Sequence, residues 1–178
     1  VLDAFEDANR QVCALGTGAA TTLATAIIAE RRLRAIHVGD SAVLVVGGRG
    51  AIKLQTVAHS PVGYAVEAGL LSEGEALHHE DRNVISNVVG ASDMHVAVHA
   101  PIPLRPRDTV ILATDGVLDN VDVHDIAELV RKGPIDQAAE LLAEACRQRM
   151  LEPKAGEPSK PDDATFVLFR PRARRGSA

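Results

Sequence analysis

Tryptophan is absent from the 178 residues, and aromatic side chains make up only 2% of them. The core must therefore be built from Val, Leu, Ile and Ala, which a hydrophobic content of 46% supplies. Cysteine is equally sparse. Cys13 and Cys146 lie far apart and fit no C-x-x-C spacing, which argues against a structural disulfide or zinc site and for a cytoplasmic location. No apolar run approaches the roughly 18 residues of a membrane span, and no signal peptide is visible. Positive charge is also in short supply. A formal net charge of −5 speaks against a non-specific nucleic-acid or anionic-membrane surface, which needs clustered Lys and Arg. The locally basic stretch Arg170, Arg172, Arg174 and Arg175 reads as a solvated, disordered tail over 172–178.

What is present suits a single domain large enough to bury one core. The first residue is Val1 rather than Met, which implies an upstream segment. Leu2, Phe5, Val12 and Leu15 share one helical face over 2–15. The small-residue stretch Gly16-Thr17-Gly18-Ala19-Ala20-Thr21-Thr22 then breaks the helix. It lacks the lysine and the preceding strand of a phosphate-cradling loop, so it reads as close backbone packing at a helix-to-strand junction.

From Leu23 to Val57 four strands are expected: Leu23–Glu30, Leu33–Val38, Ala42–Val46 and Ala51–Val57. Their connections are too short for a parallel crossover, which predicts an antiparallel meander. Ser72 with Glu75 fits a capping box opening a short helix through Glu80. His78 and His79 are adjacent on that helix and point about 100° apart, which disfavours a shared metal ion. Alternation over Met94–His99 reads as a half-buried strand with His95 and His99 towards solvent. Helices are predicted over Val123–Lys132, capped by Asp122, and after Pro134.

Acidic side chains recur where apolar strands stop. Asp40 follows Leu33–Val38, Asp115 and Asp119 follow the run Thr109–Thr114, and Asp162 and Asp163 precede Phe166–Phe169. Each alone is a favoured turn residue. Together, without soft ligands, they suit Mg2+ or Mn2+, and two such ions can generate a hydroxide and neutralise phosphate oxygens.

The order of blocks resembles the metal-dependent serine/threonine protein phosphatases of the PP2C (PPM) family, bacterial type, over about residues 2–171. The blocks are Gly16-Thr17-Gly18 with Thr21-Thr22-Leu23; Val38-Gly39-Asp40-Ser41; His59-Ser60; Arg82-Asn83 through Gly90; Asp108, then Ile111 to Gly116 and Leu118-Asp119-Asn120; and Asp162-Asp163-Ala164-Thr165. The resemblance implies an α+β fold, the αββα sandwich of two antiparallel sheets flanked by helices, here without its N-terminal strands. It places Asp115 and Asp162 as ligands of a two-metal centre of Mn2+ or Mg2+, and Asp40 and Asp119 as ligands of a third ion. It implies hydrolysis of phosphoserine and phosphothreonine in a phosphorylated protein substrate, by in-line attack of a metal-bridging hydroxide. The family's bridging Asp-Gly pair has no counterpart here, and Ala42 and Ala58 replace an arginine and an acidic residue. Two alternatives stand beside this reading: a PP2C-like binding domain without catalysis, and a SpoIIE-type phosphatase acting on an anti-sigma antagonist.

Overall fold

A computed structural model describes residues 1–76, 79–154 and 156–172. Helix α1 (Leu2–Ala14) forms as its spacing requires. Phe5 is buried, but Leu2 and Leu15 at its two ends are exposed, so the apolar face is narrower than the pattern implied. The close packing expected over residues 16–22 forms at the far end of that stretch, where a Cβ on Gly90 would fall 2.5 Å from the Ala19 carbonyl oxygen and one on Gly39 2.4 Å from Thr22 Cγ2, and not at its two glycines. A Cβ on Gly16 or Gly18 would meet nothing within 4 Å, and what those positions require is the left-handed backbone, with φ 64° and 73°.

Strands β1 (Leu23–Ala29) and β2 (Arg32–Val38) form a hairpin with Leu23 opposite Val38 and Ala29 opposite Arg32. Strands β3 (Ala42–Val46) and β4 (Ile52–Gln55) form another. The expected meander does not continue from one to the other. Strand β2 belongs to a sheet ordered β1-β2-β5, with β6 also on β2, whereas β3 belongs to a sheet ordered β4-β3-β7-β8. A short connection forces antiparallel neighbours only if the chain stays in one layer, and Gly39-Asp40-Ser41 changes layer. Gly39 makes this possible with φ 96°, at a point where a Cβ would fall 2.4 Å from Thr22 Cγ2.

Strands β5 (Ala97–Val98) and β6 (Ile102–Pro103) are two residues each, so the strand expected over 94–99 is mostly extended coil. Strands β7 (Thr109–Ala113) and β8 (Phe166–Phe169) complete the second sheet, and every pairing is antiparallel.

Alternation along the strands makes three apolar layers. Leu33 and Ala35 of β2 meet Val43, Val45 and Val110 between the sheets. The other face of β2, Ile36 and Val38, packs on Phe5 of α1. Leu44, Val46, Ile111 and Ala113 on the outer face of β3 and β7 pack on Val117, Ile126, Val130, Leu142 and Cys146. Burial on both faces explains why β3 reads as a continuous apolar run.

The intervening helices are α2 (Pro61–Glu67), α3 (Glu73–Ala76), α4 (Asp115–Leu118), α5 (Val123–Val130) and α6 (Ile135–Leu151). The Ser72 and Glu75 capping box forms, with Ser72 N–H donating to Glu75 Oε2 at 2.8 Å, but α3 is one turn and does not run to Glu80. His78, and with it the paired-histidine reading, lies outside the described residues. His79 instead caps a 3-10 turn at Glu80–Asn83. Asp122 caps α5 as expected, accepting from His124 N–H at 2.8 Å. Of the basic tail, residues 173–178 lie outside the described residues. No helix among those described is long and apolar enough to cross a membrane. Cys13 and Cys146 are free thiols.

Candidate metal centre

The change of layer at Gly39-Asp40-Ser41 carries Asp40 to the end of the sandwich where β7 finishes and β8 begins. Asp115 opens α4 directly after β7, and Asp119 is that helix's C-terminal cap, one turn on. The turn places both carboxylates on the same side. Asp115 Oδ1 accepts its neighbour Gly116's N–H at 2.9 Å, leaving Oδ2 for other contacts. Gly116 is required by close approach: a Cβ there would fall 2.3 Å from the Asp163 carbonyl oxygen. That contact docks the Asp162-Asp163 segment against α4. Asp162 Oδ1 accepts the Asp163 N–H at 2.8 Å, which is the first cause holding its carboxyl below the usual range, followed by Lys160.

One cation sits among these groups. Lys160 Nζ lies 2.8 Å from Asp119 Oδ2, 3.3 Å from Asp115 Oδ2 and 3.4 Å from Asp162 Oδ2. Partial burial works against its charge. Hydrogen bonds and attraction from Asp119, then Asp115, override this and hold the ammonium above the ordinary lysine range. Its backbone is fixed by Asn120, which is fully buried. The Asn120 side chain donates to the Lys160 carbonyl at 2.7 Å and to the Gly116 carbonyl at 2.8 Å, and accepts the Lys160 N–H at 2.8 Å.

Asp40 shares with Asp115, Asp119, Lys160 and Arg82 a cavity of about 100 Å³. A larger one of about 430 Å³, bounded by Asp40, Ser60, Arg82 and Asp119, opens beside it. Burial, and then repulsion from Asp115, raises the Asp40 pKa from the usual carboxylate value. The structure thus gathers all four predicted aspartates at one end of the sandwich, three of them on one ammonium. Asp163 contributes its carbonyl rather than its carboxylate to this packing.

His59 holds the Asp40 turn. Its N–H donates to the Gly39 carbonyl at 3.0 Å, and its ring Nδ1 accepts the Gly39 N–H at 3.1 Å. Asn87 donates to the same Nδ1 at 2.7 Å, so the ring is neutral with its proton on Nε2. His59 stacks on His37 with centroids 4.4 Å apart, His37 on His99 at 5.3 Å, and His59 against His95 at 4.9 Å. Only His95 of the pair expected to face solvent is exposed. His99 is half-buried, because the column of rings needs it beside His37.

Oxygen-only donors around one cationic position fit a hard divalent ion. The spacing is that of an ammonium, at 2.8–3.4 Å, against about 2.0–2.1 Å for Mg2+. Accordingly, no three His, Cys, Asp or Glu side chains among the described residues are already arranged around one metal position. The carboxylates must close by roughly an ångström to take one.

Sequence reasoning missed Lys160 and the clamp role of Asn120. It missed the opposite pole too, where Arg49, Arg105, Arg107, Arg131, Lys132 and Arg170 line two adjoining cavities of about 300 and 490 Å³. Their positions come from four separate segments of the chain, and Arg170, grouped with the basic end in the sequence, instead donates to the Val130 and Gly133 carbonyls.

A family model described as Protein phosphatase 2C matches residues 3–153. Protein phosphatase PhpP of Streptococcus pneumoniae serotype 2 is 28% identical over 131 residues, which are 71% of this chain and 53% of that protein. The chain spans about half the length of the curated relatives it matches first, 54% and 53%. Among solved structures, the serine/threonine phosphatase Stp1 from Staphylococcus aureus superposes with a TM-score of 0.80 at 24% identity, over 96% of this chain and 66% of that one. The catalytic domain of the phosphatase PstP, solved with two manganese ions, gives 0.71 at 23% identity, over 90% of this chain and 65% of that one. These structural likenesses carry the fold: two antiparallel sheets flanked by helices.

Proposed function

Because the chain belongs to the protein phosphatase 2C family, we propose that it forms part of a metal-dependent serine/threonine phosphatase, acting on phosphoserine and phosphothreonine in proteins. The observation that carries the reading is the convergence of Asp115, Asp119 and Asp162 on a single cation, with Asp40 across the same small cavity. Asp115 and Asp162 are assigned to a pair of core ions, and Asp40 and Asp119 to a third. Mn2+ or Mg2+ held by these carboxylates would supply a nucleophile at neutral pH and would neutralise the oxygens of the phosphoryl group.

The protein's own part is to hold hard oxygen donors at the ends of rigid strands. Gly116 lets α4 and the 162–163 segment touch. His59 and Asn87 fix the turn that presents Asp40. Arg82 lines both cavities and adds positive charge beside the carboxylates. The larger cavity, with apolar Val62, Val66 and Leu118 on its walls, is where residues flanking a phosphorylated side chain would rest.

The test is hydrolysis of a phosphothreonine peptide by the full-length protein. Turnover with Mn2+, its loss in excess chelator, and a fall of at least about 100-fold in kcat/KM for Asp115→Asn are expected, a loss of about 3 kcal/mol or more of metal-assisted stabilisation. Equal turnover by Asp115→Asn overturns the reading. Peptide binding without turnover marks a non-catalytic binding domain instead.

A further inference from the structure

We propose that Lys160 is a built-in competitor for the divalent cation at the Asp119 position: a tethered ammonium that must leave before an ion can bind there. The proposal rests on the metal-centre reading above and adds to it a role for a residue outside the carboxylate set.

Three observations carry it. The ammonium touches the carboxylates of Asp119, Asp115 and Asp162 within 3.4 Å, so it occupies the point where their charges converge. It is not there by the drift of a long surface side chain, because its own N–H and carbonyl are both bonded to the buried Asn120. Asn120 belongs to the same Asp115–Asn120 segment as two of the carboxylates, so one piece of chain presents both the anions and the anchor of the cation. Finally, the carboxylates stand at ammonium spacing and enclose no ready-made metal position among the described residues.

Electrostatics gives the direction. One positive charge in place of a divalent ion relieves part of the repulsion among the aspartates and so favours the fold of the metal-free protein. It also repels an incoming divalent ion and must move its own charge into water. Binding at this position is therefore weaker than the carboxylates alone would give. Asp40 is not among the carboxylates that Lys160 touches.

The experiment is Mn2+ binding, read from the free-ion EPR signal at fixed pH, for the full-length protein, Lys160→Gln, Lys160→Arg and the exposed-loop control Lys154→Gln. The expected result is that Lys160→Gln tightens the weakest Mn2+ site at least about ten-fold, while Lys160→Arg and Lys154→Gln bind no more tightly than the parent. Lys160→Gln without metal should also melt at a lower temperature than the parent and gain more from added Mn2+. Unchanged or weaker binding by Lys160→Gln, with the parent binding Mn2+, overturns the competitor role and leaves the metal centre standing. Equal tightening by Lys154→Gln overturns it as well, by reducing the effect to overall charge. If neither the parent nor Lys160→Gln binds Mn2+ while both are folded by circular dichroism, the metal-centre reading falls and the proposal falls with it.

Discussion

Acid should loosen the Asp40 turn through His59. The ring is buried, and its Nδ1 faces two donors, the Gly39 N–H and the Asn87 amide. Protonation turns that acceptor into a third donor. Burial first, and then the imidazoles of His37, His95 and His99, push the His59 pKa from 6.5 down to about 4. A folded-state pKa below the unfolded value means that the unfolded chain takes up the proton first as pH falls. The stabilisation is therefore complete above pH 6.5 and drains away down to about pH 4. At 1.36 kcal/mol per unit, the full shift is worth roughly 3 kcal/mol, of which about 2 kcal/mol is lost between pH 7 and pH 5. Burial lowers the pKa of His37 and His99 too, which adds in the same direction, with Glu67 opposing at His99. Asp40, whose pKa is raised, works the other way and gains from acidification. The assay is urea unfolding of metal-free protein at pH 7 and pH 5, for the parent and for His59→Asn, which keeps an acceptor near the position of Nδ1. The parent should lose about 2 kcal/mol more than the variant over this interval. An equal loss in both, or a His59 ring titrating near pH 6.5 by NMR, refutes the reasoning.

Two further substitutions probe the scaffold. Gly116→Ala places a methyl group 2.3 Å from the Asp163 carbonyl, and the obstacle is backbone. It should cost on the order of 1–3 kcal/mol in denaturant unfolding and weaken Mn2+ binding by displacing Asp162. Asn120→Ala removes all three clamp bonds and strands the Gly116 carbonyl and the Lys160 N–H and carbonyl. A loss of about 2–4 kcal/mol is expected from chemical denaturation, and a loss under about 0.5 kcal/mol would show that water replaces the clamp.

Local pattern made β7, β8 and the amphipathic helices legible, because period and apolar runs report burial directly. The layered arrangement was not legible in that way. Nothing in Val38-Gly39-Asp40-Ser41 distinguishes a hairpin turn from a step between sheets, since either needs a glycine and a polar residue. The apolar runs flagged five aspartates at strand ends, and the order of the matched blocks, rather than periodicity, brought the αββα sandwich into view and selected Asp40, Asp115, Asp119 and Asp162 among them. His59 and Asn87 fell within matched blocks, but their task of holding Gly39 is a tertiary contact across twenty and more residues. Lys160 could not be singled out at all. A lysine in a Pro- and Gly-rich loop is ordinary, and only the buried Asn120, forty positions away, makes its placement specific.

The most direct measurement of the central claim is a crystal structure of the full-length protein soaked in Mn2+, with the ions located by anomalous scattering. Peaks are expected among Asp40, Asp115, Asp119 and Asp162, with carboxylate oxygens drawn in from ammonium spacing to metal-ligand distance and the Lys160 ammonium displaced from Asp119. A protein that binds no Mn2+ at these aspartates, with Lys160 still seated on them, would contradict it.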